Sequence, residues 1–364
     1  MGKRIVVKIG SNVISGKQGK IDRRLLRALI GELAARKKRG YEIMIITSGA
    51  VSSGREVLKF SDKDKVLERQ VFASLGQARL VEFYSSLFQK QGIKVAQLLL
   101  TREDFLEQRH FTNFQQAAKK LLSLGVIPII NENDAIAVAD KAFLNNDQLA
   151  ALSAVAVSAD RLIILSNIDG LYTADPTKDK SAELIGEVTD AGKDLEKYCF
   201  KKKSTFGLGG MLEKVRAAGL AANNGIKVVI VNGLAKNPIA NALEGKVRGT
   251  VFVPKAKKIR DRQKWLLVGA SSRGKIMIDR GAAEALRHGK SLLAVGIEEV
   301  YGDFDKRDIV EVVDGQGETI ATGISVYDCR ELAQAIAYKK SGKNSLIKKK
   351  FSREVIHVDN LTVI

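Results

Sequence analysis

Two lysines stand where a phosphate group could meet them. Lys8 interrupts the apolar run 4–9, with Ile5, Val7 and Ile9 on the alternate face, and Gly10, Ser11 and Asn12 follow it at once. An ammonium group in such a strand is costly unless an anion meets it. The Gly-Ser turn after it can present backbone N–H groups, a small anion cradle beside the charge. A lysine snorkelling from an edge strand would carry the same residues. Lys214 falls in the first turns of a helical stretch after Gly207-Leu208-Gly209-Gly210-Met211. Glycines there admit close backbone approach, the helix start points N–H groups outward, and the lysine adds a full charge. A flexible lid is the alternative reading of the same loop. The order GxxxxGK[ST] is absent, so phosphate is not held in the P-loop manner.

Polar clusters fall at the ends of other apolar runs. Thr47-Ser48-Gly49-Ala50 is small and hydroxyl-bearing, and Ser48 can donate to a carboxylate. Asn131-Glu132-Asn133-Asp134 and Asn145-Asn146-Asp147 bring amides and carboxylates suited to an amine, a lysine or a hydrated cation. Helix capping is the competing use of Asn and Asp at such places. Capping needs one residue where the run 131–134 supplies four. Ser166-Asn167 opens a long polar loop containing Tyr172, a ring able to frame a nucleotide base.

The elements that must position these groups follow from periodicity. β-rich runs at 4–9, 42–47, 94–100, 126–130, 161–166 and 227–232 alternate with helical patterns, such as Leu25, Leu26, Leu29 and Leu33 on one face ended by Gly40. This alternation predicts an α/β domain, a mostly parallel open sheet sandwiched by helices, over 1–254. Ligands of such sheets bind beyond the C-terminal strand ends. A basic linker at 255–263 precedes a small β-rich domain at 264–364, with short strands including 265–270 and one helix near 281–289.

Composition excludes several classes. A chain of 364 residues, 45% hydrophobic and 28% charged, with only 4 Pro, is neither disordered nor fibrous. Its two cysteines, Cys199 and Cys329, form no CxxC pair, which predicts a reducing, cytoplasmic setting and neither a disulfide framework nor a metal cluster. No apolar run is long enough for a signal region or a membrane span. The net charge of +19 is spread, 39 basic against 26 acidic residues in 1–254 and 21 against 15 in 255–364, so neither part is a basic tail. The dense runs 36–39, 201–203 and 348–350 fit solvated or helix-end cations better than an anion-holding patch.

The segments VVKIGS, TSGAVSSGR, VIPIINENDA, NNDQLAA, LYTADP and GLGGMLEK, in this order, resemble the amino-acid kinase family, and the last 100 residues resemble a PUA domain. The resemblance implies ATP-dependent phosphorylation of the γ-carboxylate of L-glutamate to γ-glutamyl 5-phosphate, the first step of L-proline biosynthesis. It implies Lys8, Lys214 and Asp147 as catalytic residues, and Ser48, Asp134 and Asn146 as the substrate site. Lys8, Ser166, Asn167, Leu208, Gly209, Gly210, Met211 and Lys214 would hold the nucleotide, with Mg2+ carried mainly on ATP phosphates rather than by the protein. It also implies feedback inhibition by proline, a glutamyl-phosphate reductase as downstream enzyme and a homodimer or homotetramer. Asn145, Asn167 and Leu208 depart from the family pattern, which has Asp, Asp and a small hydroxyl residue at these places. Aspartate, acetylglutamate, carbamate and uridylate kinases are the alternatives within the fold. The INENDA segment and the PUA-like region favour glutamate. A protein that binds RNA through the PUA-like region, or a catalytically silent regulator, is the reading from another class.

Overall fold

The computed structural model describes residues 3–14, 21–137, 146–176, 178–189, 210–255 and 272–363. The chain divides into two compact units, residues 1–105 with 109–258, and residues 106–108 with 259–364. No helix among the described residues is long and apolar enough to cross a membrane.

The strands of the first unit are β1 (Lys3–Ile9), β2 (Tyr41–Ile46), β3 (Val95–Leu100), β4 (Ile127–Glu132), β5 (Arg161–Ser166), β6 (Glu187–Val188), β7 (Lys227–Asn232) and β8 (Gly249–Phe252). They form one sheet in the order β3-β4-β2-β1-β5-β7-β8-β6. All pairings are parallel except β7 with β8. Six of the eight lie where apolar runs predict them. The short β6 and β8, with two and four residues, are too brief to show a periodic run, although β8 is paired on both sides and mostly buried. β1 lies between β2 and β5, so Lys8 is on a central strand and the edge-strand reading of it is excluded.

Helices α1 (Ser11–Ile14), α2 (Arg23–Lys38), α3 (Ala50–Arg55), α4 (Lys65–Gln89), α5 (Glu103–Leu106), α6 (Gln108–Ser123), α7 (Asn146–Ala156), α8 (Met211–Asn223) and α9 (Pro238–Glu244) connect the strands. Asp22 caps α2 by accepting from Arg24 N–H and Leu25 N–H. The basic run 36–39 occupies the last turn and C-cap of that helix, where cations complement the exposed carbonyls. Arg36 there pairs with Glu244 at 2.7 Å. The buried face of α2, Leu26, Leu29, Ile30 and Leu33, packs on Ile5, Val7 and Ile9 of β1 in one apolar core. α4 runs against α3 at backbone contact. A Cβ on Gly76 would lie 1.7 Å from the Ala50 carbonyl oxygen, and one on Gly54 would lie 1.9 Å from that of Phe72. Only glycine fits these two places, and their contact sets the line of α4 past the strand ends.

The second unit holds a five-stranded sheet ordered β10-β9-β11-β12-β13, from β9 (Gly274–Ile278), β10 (Ile297–Gly302), β11 (Ile309–Val313), β12 (Thr319–Ile324) and β13 (Leu361–Val363). Ile276, Val310, Val312, Ala321, Leu332 and Ile356 are buried in its core. The expected helix is present at Arg280–Arg287, capped by Asp279. The expectation of a single helix is corrected, since helices Cys329–Lys340 and Asn344–Lys350 are present as well. Asp328 and Glu331 form a complete capping box at the start of the first of these. That D-x-x-E spacing was the available signal for it. The strand expected at 265–270 lies outside the described residues.

Candidate functional site

The four central strands β4, β2, β1 and β5 all run parallel and end at the same rim of the sheet. Each delivers one part of the site there, as a parallel sheet does for its ligand. β1 carries Lys8 near its end and runs into Gly10, β2 runs into Thr47 and Ser48, β4 ends in Asn131 and Glu132, and β5 ends in Ser166.

Lys8 and Lys214 converge on one carboxylate. Lys8 Nζ lies 2.6 Å from Asp147 Oδ1, and Lys214 Nζ lies 3.1 Å from Asp147 Oδ2. Asp147 is fully buried in the first turn of α7, and Lys8 is 5% exposed. Burial pushes the Asp147 carboxyl up, but the Lys8 and Lys214 ammonium groups outweigh it and hold the group below the usual carboxylate range. Burial lowers the pKa of Lys8 from that of an ordinary lysine; Asp147 opposes that shift and Lys214 reinforces it. Among the described residues, two ammonium groups thus face one carboxylate at the strand-end rim, a place where an anionic ligand can meet them. Gly10 adjoins it so closely that a Cβ would sit 3.1 Å from Lys8 Nζ. Lys214 projects from the start of α8, whose N-cap, Gly210, offers no capping side chain.

Beside this cluster, Asn146 joins three elements. Its amide Nδ2 lies 2.8 Å from the Thr47 carbonyl oxygen, 2.8 Å from Ser48 Oγ and 3.0 Å from Asn131 Oδ1. Asn131 Nδ2 in turn donates to Gln77 Oε1 of α4 at 2.8 Å. Among the described residues, Asn146 Oδ1 and Gln77 Nε2 are buried without a hydrogen-bond partner, an acceptor and a donor that a ligand could meet. Asp134, in the turn after β4, accepts from Arg69 Nη2 of α4 at 2.9 Å.

A sequence model of the amino acid kinase family matches residues 3–232, and that span contains every residue named above. The chain belongs to the amino acid kinase family. A PUA domain model matches residues 274–345. A glutamate 5-kinase of Caldanaerobacter subterraneus is 40% identical over 99% of this chain and 98% of its own length. One from Vibrio vulnificus is 38% identical over 100% of the chain and 96% of its own. The crystal structure of a UMP kinase from Bacillus anthracis shares the fold, with a TM-score of 0.51 at 14% identity over 70% of this chain and 97% of that one.

For this amino acid kinase, the described residues bring Lys8, Asp147 and Lys214 together, and they bring Ser48 and Asn146 together. Asp134 joins β4 to α4 through Arg69. Ser166 is buried at the end of β5, with Asn167 exposed beyond it, and Gly210 and Met211 open α8. Asn145, Leu208 and Gly209 lie outside the described residues. Arg69 and Gln77 carried no sequence signal, because a polar residue inside a long helix reads as a solvated one. Asn131 was seen only as part of a polar run.

Proposed function

We propose that this amino acid kinase transfers the γ-phosphoryl group of ATP to the side-chain carboxylate of L-glutamate, giving γ-glutamyl 5-phosphate and ADP. The observation that carries this reading is the pair of lysines held on Asp147 next to the Ser48–Asn146–Asn131 amide cluster. Close relatives matched over nearly their whole length are glutamate 5-kinases.

The chemistry follows from charge. A glutamate side chain with a pKa of about 4.3 is already ionised at neutral pH, so the nucleophile needs no general base. The obstacle is bringing it against a polyphosphate. Two like charges 4 Å apart repel by about 4 kcal/mol at an effective dielectric of about 20. A positioned ammonium group reverses that sign, so positioning and charge neutralisation do most of the work. Lys8 and Lys214 flank the transferring group. Asp147 holds both in place and keeps their mutual repulsion from spreading them apart. A carboxylate oxygen of glutamate forms the new bond to the γ-phosphorus as the bond to the ADP oxygen breaks, and the charge that gathers on the departing oxygen falls to the lysines.

Ser48, Asp134 and Asn146 form the glutamate site, with Asp134 receiving the α-ammonium group. Ser166, Asn167, Leu208, Gly209, Gly210, Met211, Lys8 and Lys214 hold the nucleotide. The site presents ammonium groups rather than a carboxylate cage, and its central carboxylate is already engaged by two lysines, which suits a magnesium ion carried on ATP oxygens. That ion supplies further charge neutralisation when bound. An acyl phosphate hydrolyses readily, so a glutamyl-phosphate reductase is the fitting consumer, on the route to proline in the cytoplasm. Proline acts as an inhibitor overlapping the glutamate site, and the enzyme assembles as a homodimer or homotetramer.

Trapping with hydroxylamine tests the function. Hydroxamate forms with ATP and L-glutamate but not with L-aspartate, and proline lowers the rate at low glutamate; ADP release that ignores glutamate overturns the assignment. The pH profile gives a second check. Neutral Lys8 no longer offsets phosphate charge, and burial lowers its pKa in the free protein. The alkaline limb of kcat/KM for ATP therefore falls below the ordinary lysine value of about 10.4, and the limb of kcat, with ATP bound, lies at higher pH. Coincident limbs at that ordinary value would refute the role given to Lys8.

A further inference from the structure

We propose that Arg69 recognises the α-carboxylate of the amino-acid substrate, so that the Arg69–Asp134 pair reads both charges on the α-carbon. This rests on the glutamate-kinase reading given above and adds a specificity-determining residue to it. Arg69 Nη2 lies 2.9 Å from Asp134 Oδ1, with the Asp134 side chain 15% exposed and that of Arg69 47% exposed. The carboxylate is thus largely enclosed while its partner still faces the solvent from which a substrate comes.

A count of charges shows what Asp134 alone would do. A carboxylate that receives an α-ammonium group also meets the α-carboxylate one bond away from that carbon. One cation between two anions leaves the pocket with a net negative charge, which opposes binding of a substrate that carries a second carboxylate at its far end. The Arg69 guanidinium, with five N–H donors in a planar fork, balances that excess and can accept a carboxylate while keeping Asp134 within reach. The ion pair across the α4–β4 junction is the complement of a zwitterion, cation facing anion and anion facing cation.

The helix supports this placement independently. Arg69, Ala73 and Gln77 follow one another at i, i+4 and i+8, with Ala73 buried between the two polar residues. The outer two are about 12 Å apart along the axis. Both reach the end of β4, Arg69 at Asp134 and Gln77 at Asn131. This face of α4 therefore forms a wall of the amino-acid site, with the charged contact at one end and at the other a Gln77 Nε2 that has no partner among the described residues.

Three ligands separate the two charges. Glutarate keeps both carboxylates of glutamate and lacks the amine, whereas 4-aminobutyrate keeps the amine and lacks the α-carboxylate. Their dissociation constants, with that of L-glutamate, are measured by displacement calorimetry on the full chain and on Arg69→Gln, Arg69→Lys and Asp134→Asn. Arg69→Gln is expected to weaken L-glutamate and glutarate about 10- to 100-fold and to leave 4-aminobutyrate within about threefold. Asp134→Asn is expected to weaken L-glutamate and 4-aminobutyrate and to spare glutarate. Arg69→Lys, which keeps the charge, retains more glutamate affinity than Arg69→Gln. If Arg69→Gln weakens 4-aminobutyrate as much as glutamate, the guanidinium acts only by propping Asp134 and the proposal is overturned. No change in any ligand overturns it too. A parent protein that forms no hydroxamate from L-glutamate overturns the kinase reading instead, whatever the ligand pattern.

Discussion

Lys8→Met lowers kcat for glutamate phosphorylation by about 1,000-fold or more, while the KM for glutamate moves by less than about tenfold. The ammonium group is buried at the end of a central strand, 2.6 Å from Asp147, in surroundings where little water screens it. Its attraction for a phosphate grows as negative charge gathers on the departing ADP oxygen. The loss therefore falls on the transition state more than on bound glutamate. Methionine has similar length without charge, so the strand and its packing persist. Lys214→Met gives the same pattern, with a larger share of the loss in the KM for ATP because Lys214 sits at the start of α8 beside Gly210 and Met211. Steady-state kinetics in both substrates, with a thermal melt as a folding control, provides the check. A glutamate KM that rises a hundredfold with kcat nearly intact would move these lysines from catalysis to substrate binding.

Asp147→Ala costs about 3–5 kcal/mol of stability, a fall in Tm of roughly 10 °C, and abolishes turnover as well. The carboxylate is fully buried, and its two oxygens face Lys8 and Lys214 at 2.6 and 3.1 Å. Removing it takes away the carboxylate that both ammonium groups face in a largely buried place, where an ionic contact is costly to lose. The same physics predicts recovery. Lys8→Met and Lys214→Met, combined with Asp147→Leu, replace the ionic cluster by apolar groups and regain most of the lost Tm without regaining activity. Calorimetric melts of the single and triple variants decide it. An Asp147→Ala protein that melts with the parent would mean that the cluster is hydrated and that Asp147 does not hold the lysines.

The two substitutions differ in what they disturb. Loss of Lys8 removes a charge that acts on the ligand, and the remaining Lys214–Asp147 pair is neutral. Loss of Asp147 disturbs the protein before any ligand arrives. The stability readout thus separates a residue that acts on substrate from one that positions others.

Much of the first unit was legible because its central strands are buried on both faces. Such strands must be near-continuous apolar runs, and the runs at 161–166 and 227–232 coincide with β5 and β7. β6, with two residues, and β8, with four, are too short for a periodic pattern to mark them. Helix Cys329–Lys340 lies between β12 and β13, and its sequence signal is local, the Asp328–Glu331 capping box at its start.

The candidate site divides along the same line. Residue types and local spacing alone marked Lys8 as an ammonium group needing an anion, Ser48 and the run 131–134 as strand-end polar groups, and Lys214 as a cation at a helix start. Those inferences needed only the cost of burying charge and the N–H groups left open at a helix start. That Lys8, Asp147 and Lys214 form one cluster was decided by strand order, because β1 lies next to β5 and α7 packs on α8, bringing together residues far apart in the chain. The pairing of Arg69 with Asp134 depended on tertiary structure still more. It follows from the glycine contact that lays α4 along α3, and no pattern in the helix's own residues reports where its neighbours stand.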